Sequence, residues 1–564
     1  MKALITTALH SDLKNKNQTY LGKWCLSEFN LDSINKNANR ILDYHWDNKI
    51  KFINDSKIIL KIFHSTLPKL SKSLDEFHKI NTGNNYWKIL LGDWLLNFIT
   101  VLYDRWELIS LLPRNEYKFF THNVEFYVPR DSSDSLYNYG LDIWNKFIFD
   151  KIIQFQKFEN IELSTTLLNN YNNNDDITSH RRITFTNLKK NSNLFIFQSN
   201  LGLLNEFLMS FRFNNIPRIS LLPNKNLLNF GRIKIKERKI KLKIEPNDKF
   251  EIFLSDMINM LIPSSFVEDF KIINEHVAKY MPGYSKNVVT SNAQINHKLF
   301  TFWLAKNRDK IDNLTILQNG GNVGSALIQA QEYHDIAIAD KYISWGWGNN
   351  KKNIKSLGSS KIIKIKKKYK NYSDVNKSEI LFVITNGPKY NYTLISQAHG
   401  PQFIDELNKI IQIYKLIQPK LKKYLSLRLN PKDFGWHMKK KIKASLPQLT
   451  LDSEKDFYKS IINKKLLIFN YNGTSFLEAL SLKIPTLLLF DKNIWHIKNN
   501  EIQYFNLLKN VGILHDNPND ITKFINNNLN DLDKWWNGLE LQSNVNLFCK
   551  NYINYDNNLE NKII

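Results

Sequence analysis

KKLLIFNYNGTSFLEALSLKIPTLLLFDKNIWH, residues 464–496, reads as strand, tight turn, helix and strand. Leu466 to Phe469 form a short apolar run of the kind buried in a parallel sheet. Asn472-Gly473 breaks the run, and Thr474 or Ser475 stands where a helix N-cap belongs. Phe476, Leu477, Ala479 and Leu480 give the helix an apolar face, Pro485 stops it, and Thr486 to Phe490 supply a second buried strand. Such a unit places its turn at the carboxyl edge of the sheet, where open α/β folds bind ligands. The helix N-terminus favours an anion, and Glu478, four residues after Thr474, can face the same crevice. A carboxylate near such a turn suits a ribose diol better than a phosphate. Gly473, Thr474, Ser475 and Glu478 are therefore candidate contacts for a nucleoside mono- or diphosphate.

Working outward, Tyr424 to Leu429 reads as a strand with Arg428 near its carboxyl end. The chain holds 12 Arg against 66 Lys, and Arg428 is the one arginine after Arg308. An arginine kept where lysine is the habitual cation suits a site needing a planar fork for phosphate. A structural ion pair is the alternative. Ile380 to Thr385 is a buried strand that delivers Asn386 to the same edge. A second glycine turn, Gln318-Asn319-Gly320-Gly321, follows the strand Thr315 to Leu317, and its paired glycines permit close backbone approach to a ligand. Its spacing is neither that of a phosphate-binding Walker loop nor that of a dinucleotide fingerprint. Asn386, Gln318, Gly320 and Gly321 are candidate substrate contacts. Near the start, Ala3 to Thr6 reads as a strand and Arg40 to Trp46 as another, on which His45 and Asp47 would share a face and could serve acid/base chemistry.

Residues 50–112 carry helical spacing with Trp87, Trp94 and Trp106 as core, and Asp104-Arg105 as an ion pair. Residues 160–190 read as loop, Lys234 to Lys243 as an exposed basic strand or connection, and the basic low-complexity stretch 361–379 as a linker. This divides the chain into an N-terminal unit at 1–360, a C-terminal α/β unit at 380–545 and a tail at 546–564.

At 564 residues there is core enough for two or three domains. The net charge of +25 raises nucleic acid as a partner, but the scarcity of arginine argues against base and phosphate reading. Attraction to anionic membrane surfaces or polyphosphates fits the charge better. Two cysteines exclude a disulfide framework, no Cys/His cluster has zinc spacing, and Asp531-Leu532-Asp533 lies in a helical pattern, so no metal is expected. The first residues lack a secretory signal, and Ile89 to Trp106 is too interrupted by charge to span a bilayer, so the expected location is cytoplasmic.

Taken together, LITTAL at 4–9, LGKWC at 21–25, YHWD at 44–47, YWKILLGDWL at 86–95, LYDRW at 102–106, QNGG at 318–321, LRLNPKDFGW at 427–436, YNGTSFLEAL at 471–480 and IPTLLLFD at 484–491 resemble a known family. It comprises bacterial transferases of surface-polysaccharide (O-antigen and capsule) gene clusters. More distantly the chain is similar to capsule polysaccharide biosynthesis proteins and CDP-glycerol glycerophosphotransferases. The resemblance covers nearly the whole chain. It implies a GT-B-like α/β architecture, with two Rossmann-like domains facing across a cleft and a helical insertion in the N-terminal half. It places a nucleotide-activated donor on the C-terminal domain, with a glycan or lipid-linked acceptor opposite and no metal. The sequence departs from the family where a histidine usually stands between the glutamine and the glycines: Asn319 is there, and Asn accepts no proton at neutral pH. His45 or Asp47 would then be the base. Val323 likewise replaces the usual aromatic residue. The alternatives are a nucleotide-sugar 2-epimerase on the same fold and a catalytically weak scaffold that binds polyanions.

Overall fold

The computed structural model describes residues 1–10, 17–170, 182–185, 191–213, 220–222, 231–348, 351–369, 379–554 and 559–563. Within them, three wholly parallel sheets carry the fold. The first runs Gln18–Tyr20, Lys2–Ile5, Tyr117–Phe126, Ile161–Asn170 in spatial order. The second runs Ile354–Ser356, Lys341–Ser344, Asn313–Leu317, Ser285–Thr290, Ser192–Ile196. The third runs Thr450–Leu451, Leu425–Arg428, Ile380–Val383, Leu466–Phe469, Thr486–Leu489, Leu514–His515. Counted by first appearance, the third sheet has the order 3-2-1-4-5-6 of a Rossmann domain. Its order reverses between Ile380–Val383 and Leu466–Phe469, where Val383 pairs with Phe469. Every residue of these two strands and of Thr486–Leu489 is buried, as a sheet covered on both faces requires.

The architecture is α/β and GT-B-like, with the second and third sheets meeting across a cleft. Among the described residues the N-terminal half holds two parallel sheets and a small antiparallel pair, Arg182–Thr184 with Ser220–Leu222, rather than the single Rossmann-like unit expected. Between its first strands lies the helical insertion, Lys49–His78 and Asn84–Ser110. Trp87 and Trp94 are fully packed there, and Arg105 pairs with Asp104 at 2.6 Å, both buried.

Several segments differ from their sequence reading. Arg40 to Trp46 is not a strand: Ile41 makes one bridge to Tyr20, and His45–Asp47 is a 3-10 turn leading into the helix that Asn48 caps. His45 and Asp47 therefore share no strand face, because the chain is already turning toward that cap. Residues 161–170, read as loop, form an edge strand, and 171–181 lie outside the described residues. The basic stretch 234–243 holds one antiparallel bridge, Lys234 to Tyr127, and the 3-10 turn Ile235–Glu237. The stretch read as a linker opens with the helix Ser360–Tyr369, which buries Ile362, Ile365 and Tyr369 and exposes Lys361, Lys364, Lys367 and Lys368; 370–378 lie outside the described residues. Position 545/546 falls inside the helix Leu539–Tyr552, whose Phe548 packs on Phe476.

The two halves are stitched by backbone. Leu327 N–H donates to His496 O at 2.8 Å, Lys498 N–H to Ser325 O at 3.0 Å, and Ala330 N–H to Leu394 O at 2.8 Å. Asn472 Nδ2 adds a bond to Ser325 Oγ at 2.9 Å. These bonds fix how the carboxyl ends of the second and third sheets face each other.

Candidate active site

The two glycine turns meet. The helix Thr474–Ser481 starts directly after the strand Leu466–Phe469 and its turn, at the reversal of strand order. Gly473 is its N-cap, and it supplies no side-chain hydrogen bond to the first-turn N–H groups. Gly321 presses on that turn from the other half: a Cβ placed on it would lie 2.4 Å from Thr474 N and 2.6 Å from Gly473 C. The glycine thus permits backbone-to-backbone contact between the halves, not ligand approach as its sequence context predicts.

Above this contact lies a cavity of about 440 Å³ between the second sheet and Thr474. Asn319 and Gly320 line it with Ser199, Asn200, Lys361 and Lys364. Gln318 also borders it but is a brace: its Oε1 accepts from Trp345 N–H and Trp347 Nε1, each at 2.8 Å, and its Nε2 donates to Gly320 O at 2.8 Å. Lys361 Nζ sits 2.6 Å from Glu478 Oε1, and Lys364 Nζ donates to Asn200 O at 3.3 Å. Two ammonium groups and a helix N-terminus thus converge from opposite sides of one cleft. The arrangement favours an anion and can stabilise negative charge building on a leaving phosphate. Glu478 is buried and also accepts from Tyr458 OH at 3.1 Å, so its carboxylate is held rather than offered. The phenol of Tyr458 is pushed up, first by burial and then by that carboxylate.

Arg428 and Asn386 belong elsewhere. They line an open cavity of about 960 Å³ at the carboxyl ends of the outer strands of the third sheet. Arg428 Nη1 contacts Asp452 Oδ2 at 2.5 Å and Glu454 O at 2.7 Å, with its guanidinium over the Phe457 ring. The structural ion pair left open by the sequence is formed, and this carboxylate and carbonyl occupy the Nη1 face of the fork. Asn386 Nδ2 donates to Lys432 O at 3.3 Å, while its buried Oδ1 finds no partner.

His45 and Asp47 line neither cavity. His45 Nε2 lies 2.9 Å from Asp104 Oδ1 and Nδ1 3.7 Å from Asp55 Oδ2, in a buried network with Tyr44 and Arg105. Burial works against its protonation, but the bond to Asp104 and the nearby Asp55 carboxylate prevail and hold the imidazole above its ordinary value. Asp47 accepts from Gln402 Nε2 at 2.9 Å, across the contact between the halves. Both side chains serve the junction. Lys361 and Lys364 went unread because they sit in a lysine-rich stretch whose helical period is masked by its charge. Ser199 and Asn200 come from a loop with no motif.

Among the described residues no group of three His, Cys, Asp or Glu could hold a metal ion. No helix among them is long and apolar enough to cross a membrane.

Comparison with solved structures finds partial likenesses. S. aureus MnaA, solved with UDP, matches at 12% identity over 67% of this chain and 95% of its own, with a TM-score of 0.34. The UDP-GlcNAc 2-epimerase of Neisseria meningitidis, bound to UDP-GlcNAc, matches at 11% over 64% and 99%, with a TM-score of 0.33. The wall teichoic acid polymerase TagF matches at 13% over 52% and 82%, with a TM-score of 0.29. At these scores the likenesses carry no argument about activity. No curated protein matches the chain. A family model, by contrast, matches residues 2–564, from the first strand through the terminal helix, and by it the chain belongs to the LIC12162 family of transferases.

Proposed function

We propose that this transferase moves a sugar or polyol-phosphate group from a nucleotide-activated donor to a glycan or lipid-linked acceptor. The setting would be assembly of a surface glycan such as O-antigen or capsule. The observation that carries this is the convergence of Lys361, Lys364 and the uncapped N-terminus of Thr474–Ser481 on one cavity between two parallel sheets. The donor phosphates lie against the Thr474 turn, with Lys361 and Lys364 countering the charge that develops as the leaving nucleotide departs. Glu478, held by Lys361 and Tyr458, anchors the lysine at the cavity rim rather than meeting the donor itself. Asn319 and Gly320 lie on the acceptor side. Asn319 takes no proton, so the site's leverage is on the leaving group rather than on deprotonating a nucleophile. No metal is needed in this scheme, because cationic side chains and the helix terminus supply the positive charge. The protein works on the cytoplasmic side, peripheral to the inner membrane.

Thermal-shift titration with nucleoside mono- and diphosphates and nucleotide sugars tests this. A native-state ligand raises the midpoint progressively with concentration. Lys364→Ala should weaken that binding by about tenfold, the loss of one charge-assisted contact, and leave the unliganded midpoint within a degree or two. It is a cleaner variant than Lys361→Ala, which strands the buried Glu478 carboxylate. Stabilisation by no nucleotide, or equal stabilisation of Lys364→Ala and the parent, removes the donor assignment.

A further inference from the structure

The helix Leu203–Arg212 is built inside out. Its inward face holds Glu206, Met209 and Ser210, all buried, and Glu206 accepts a hydrogen bond from Ser199 Oγ at 2.6 Å. Its outward face carries Leu203, Leu204, Leu208 and Phe211, which are 51%, 72%, 48% and 56% exposed. Residues 204, 208 and 211 recur at helical spacing and form one stripe. Phe207 widens it, its ring 5.1 Å from that of Phe211 and 5.4 Å from that of Phe185. A helix whose only partner is its own core does the reverse, burying leucines and solvating the carboxylate. A contiguous run of large apolar side chains, unlike scattered ones, marks a surface made for contact.

What that contact is follows from the surroundings. The helix begins three residues after Asn200, which with Ser199 lines the candidate active-site cavity. On the same edge the helix Ser360–Tyr369 docks on Asn200 O through Ser360 Oγ and Lys364 Nζ. It exposes Lys361, Lys364, Lys367 and Lys368. Met209, Ile363 and Leu559 pack in one small cluster, so the two helices and the segment at Leu559 share one packed unit. The chain carries a net charge of +25. Apolar side chains beside a lysine-rich helix match the two layers of an anionic bilayer surface, acyl boundary and headgroup phosphate.

We infer that the helix Leu203–Arg212 docks this protein on an anionic phospholipid bilayer, setting the cavity mouth at headgroup level. This deepens the reading of the acceptor as lipid-linked and gives it a route: an acceptor phosphate held at the surface meets the cavity rim without leaving its bilayer. The apolar stripe supplies the insertion, and Lys367 and Lys368, exposed outside the cavity lining, the preference for anionic lipid.

The test is co-sedimentation of the full chain with vesicles of phosphatidylcholine alone or with roughly one-third phosphatidylglycerol, at fixed ionic strength. It compares the parent with the triple variant Leu204→Gln, Leu208→Gln, Phe211→Gln. The parent should bind the anionic vesicles, and the variant at least about tenfold more weakly, because the stripe supplies the buried apolar area. The variant should keep the parent's unfolding midpoint and its stabilisation by nucleotides, since all three side chains are exposed. Equal binding of variant and parent assigns attraction to net charge alone and overturns the proposal. So does a parent that ignores anionic vesicles, or a variant whose sole change is conversion of a dimer to a monomer. Vesicle binding that depends on the stripe in a protein no nucleotide stabilises would keep this inference and refute the donor assignment instead.

Discussion

Asp335 shows how strongly position governs a single side chain. It lies in the helix Ala330–Ile338, buried, with Gln294 Nε2 donating to Oδ1 at 2.7 Å. Burial pushes its carboxyl up to about 8. The folded chain therefore holds a proton that the unfolded chain, with a carboxyl near 4, gives up. The contribution of this group to stability is greatest below the unfolded value and falls as pH rises toward 8, by about 1.4 kcal/mol per pH unit as an order of magnitude. Asp335→Asn keeps an acceptor for Gln294 and removes the titration. Its unfolding midpoint should gain on the parent's between pH 5 and pH 8; a constant difference across that range refutes the buried neutral carboxyl. None of this was readable from YHDIAIAD, where an acidic residue on a helix implies solvent. At Asn319 the sequence was sufficient, since the identity of the residue alone removes the proton acceptor, wherever it sits.

At the scale of elements, the stretch 464–496 was legible because each of its parts obeys a local rule. The apolar run, the Asn-Gly break, the helical face and the proline stop became Leu466–Phe469, the turn, Thr474–Ser481 and Thr486–Leu489. The helix Ser360–Tyr369 was not legible, because lysines at most of its outward positions read as linker composition while three inward residues do the packing. The two glycine turns were each visible, but their contact was not, since 151 residues lie between Gly321 and Gly473. That contact gives a sharp expectation. Gly321→Ala drives a Cβ into the Thr474 backbone, which cannot swing aside as a side chain would. The cost should be about 1–3 kcal/mol, that of overpacking a tight site, measured as a lower denaturation midpoint. Nucleotide stabilisation should fall with it, because the turn that presents the helix N-terminus is displaced. An alanine variant with the parent's midpoint and nucleotide response would show that the halves do not meet here.

Across the whole molecule, one hydrophobic cluster runs from Leu4 to Ile553 and includes residues of all three sheets. Lys389 Nζ reaches Asp142 at 2.6 Å, Lys23 Nζ reaches Asp405 at 2.5 Å, and Trp24 packs on Tyr390 with ring centroids 5.3 Å apart. His45, His399 and His496 surround Trp46 and Phe52 at the same junction. The halves should therefore unfold as one cooperative body, in contrast to the usual expectation that domains of a large chain unfold separately. Calorimetry should show a single dominant unfolding transition, and two well-separated transitions would show the junction to be weak. Sequence alone determined the α/β class, the Rossmann-like C-terminal unit and the strand–turn–helix at 466–481, because strand runs, turns and helix starts are set by neighbours along the chain. Only the tertiary structure decided which residues surround that turn. It withdrew His45 and Asp47 into the junction, closed Arg428 against Asp452, and brought Lys361 and Lys364 to the cavity. Burial and pairing depend on groups hundreds of positions apart, and no local pattern encodes them.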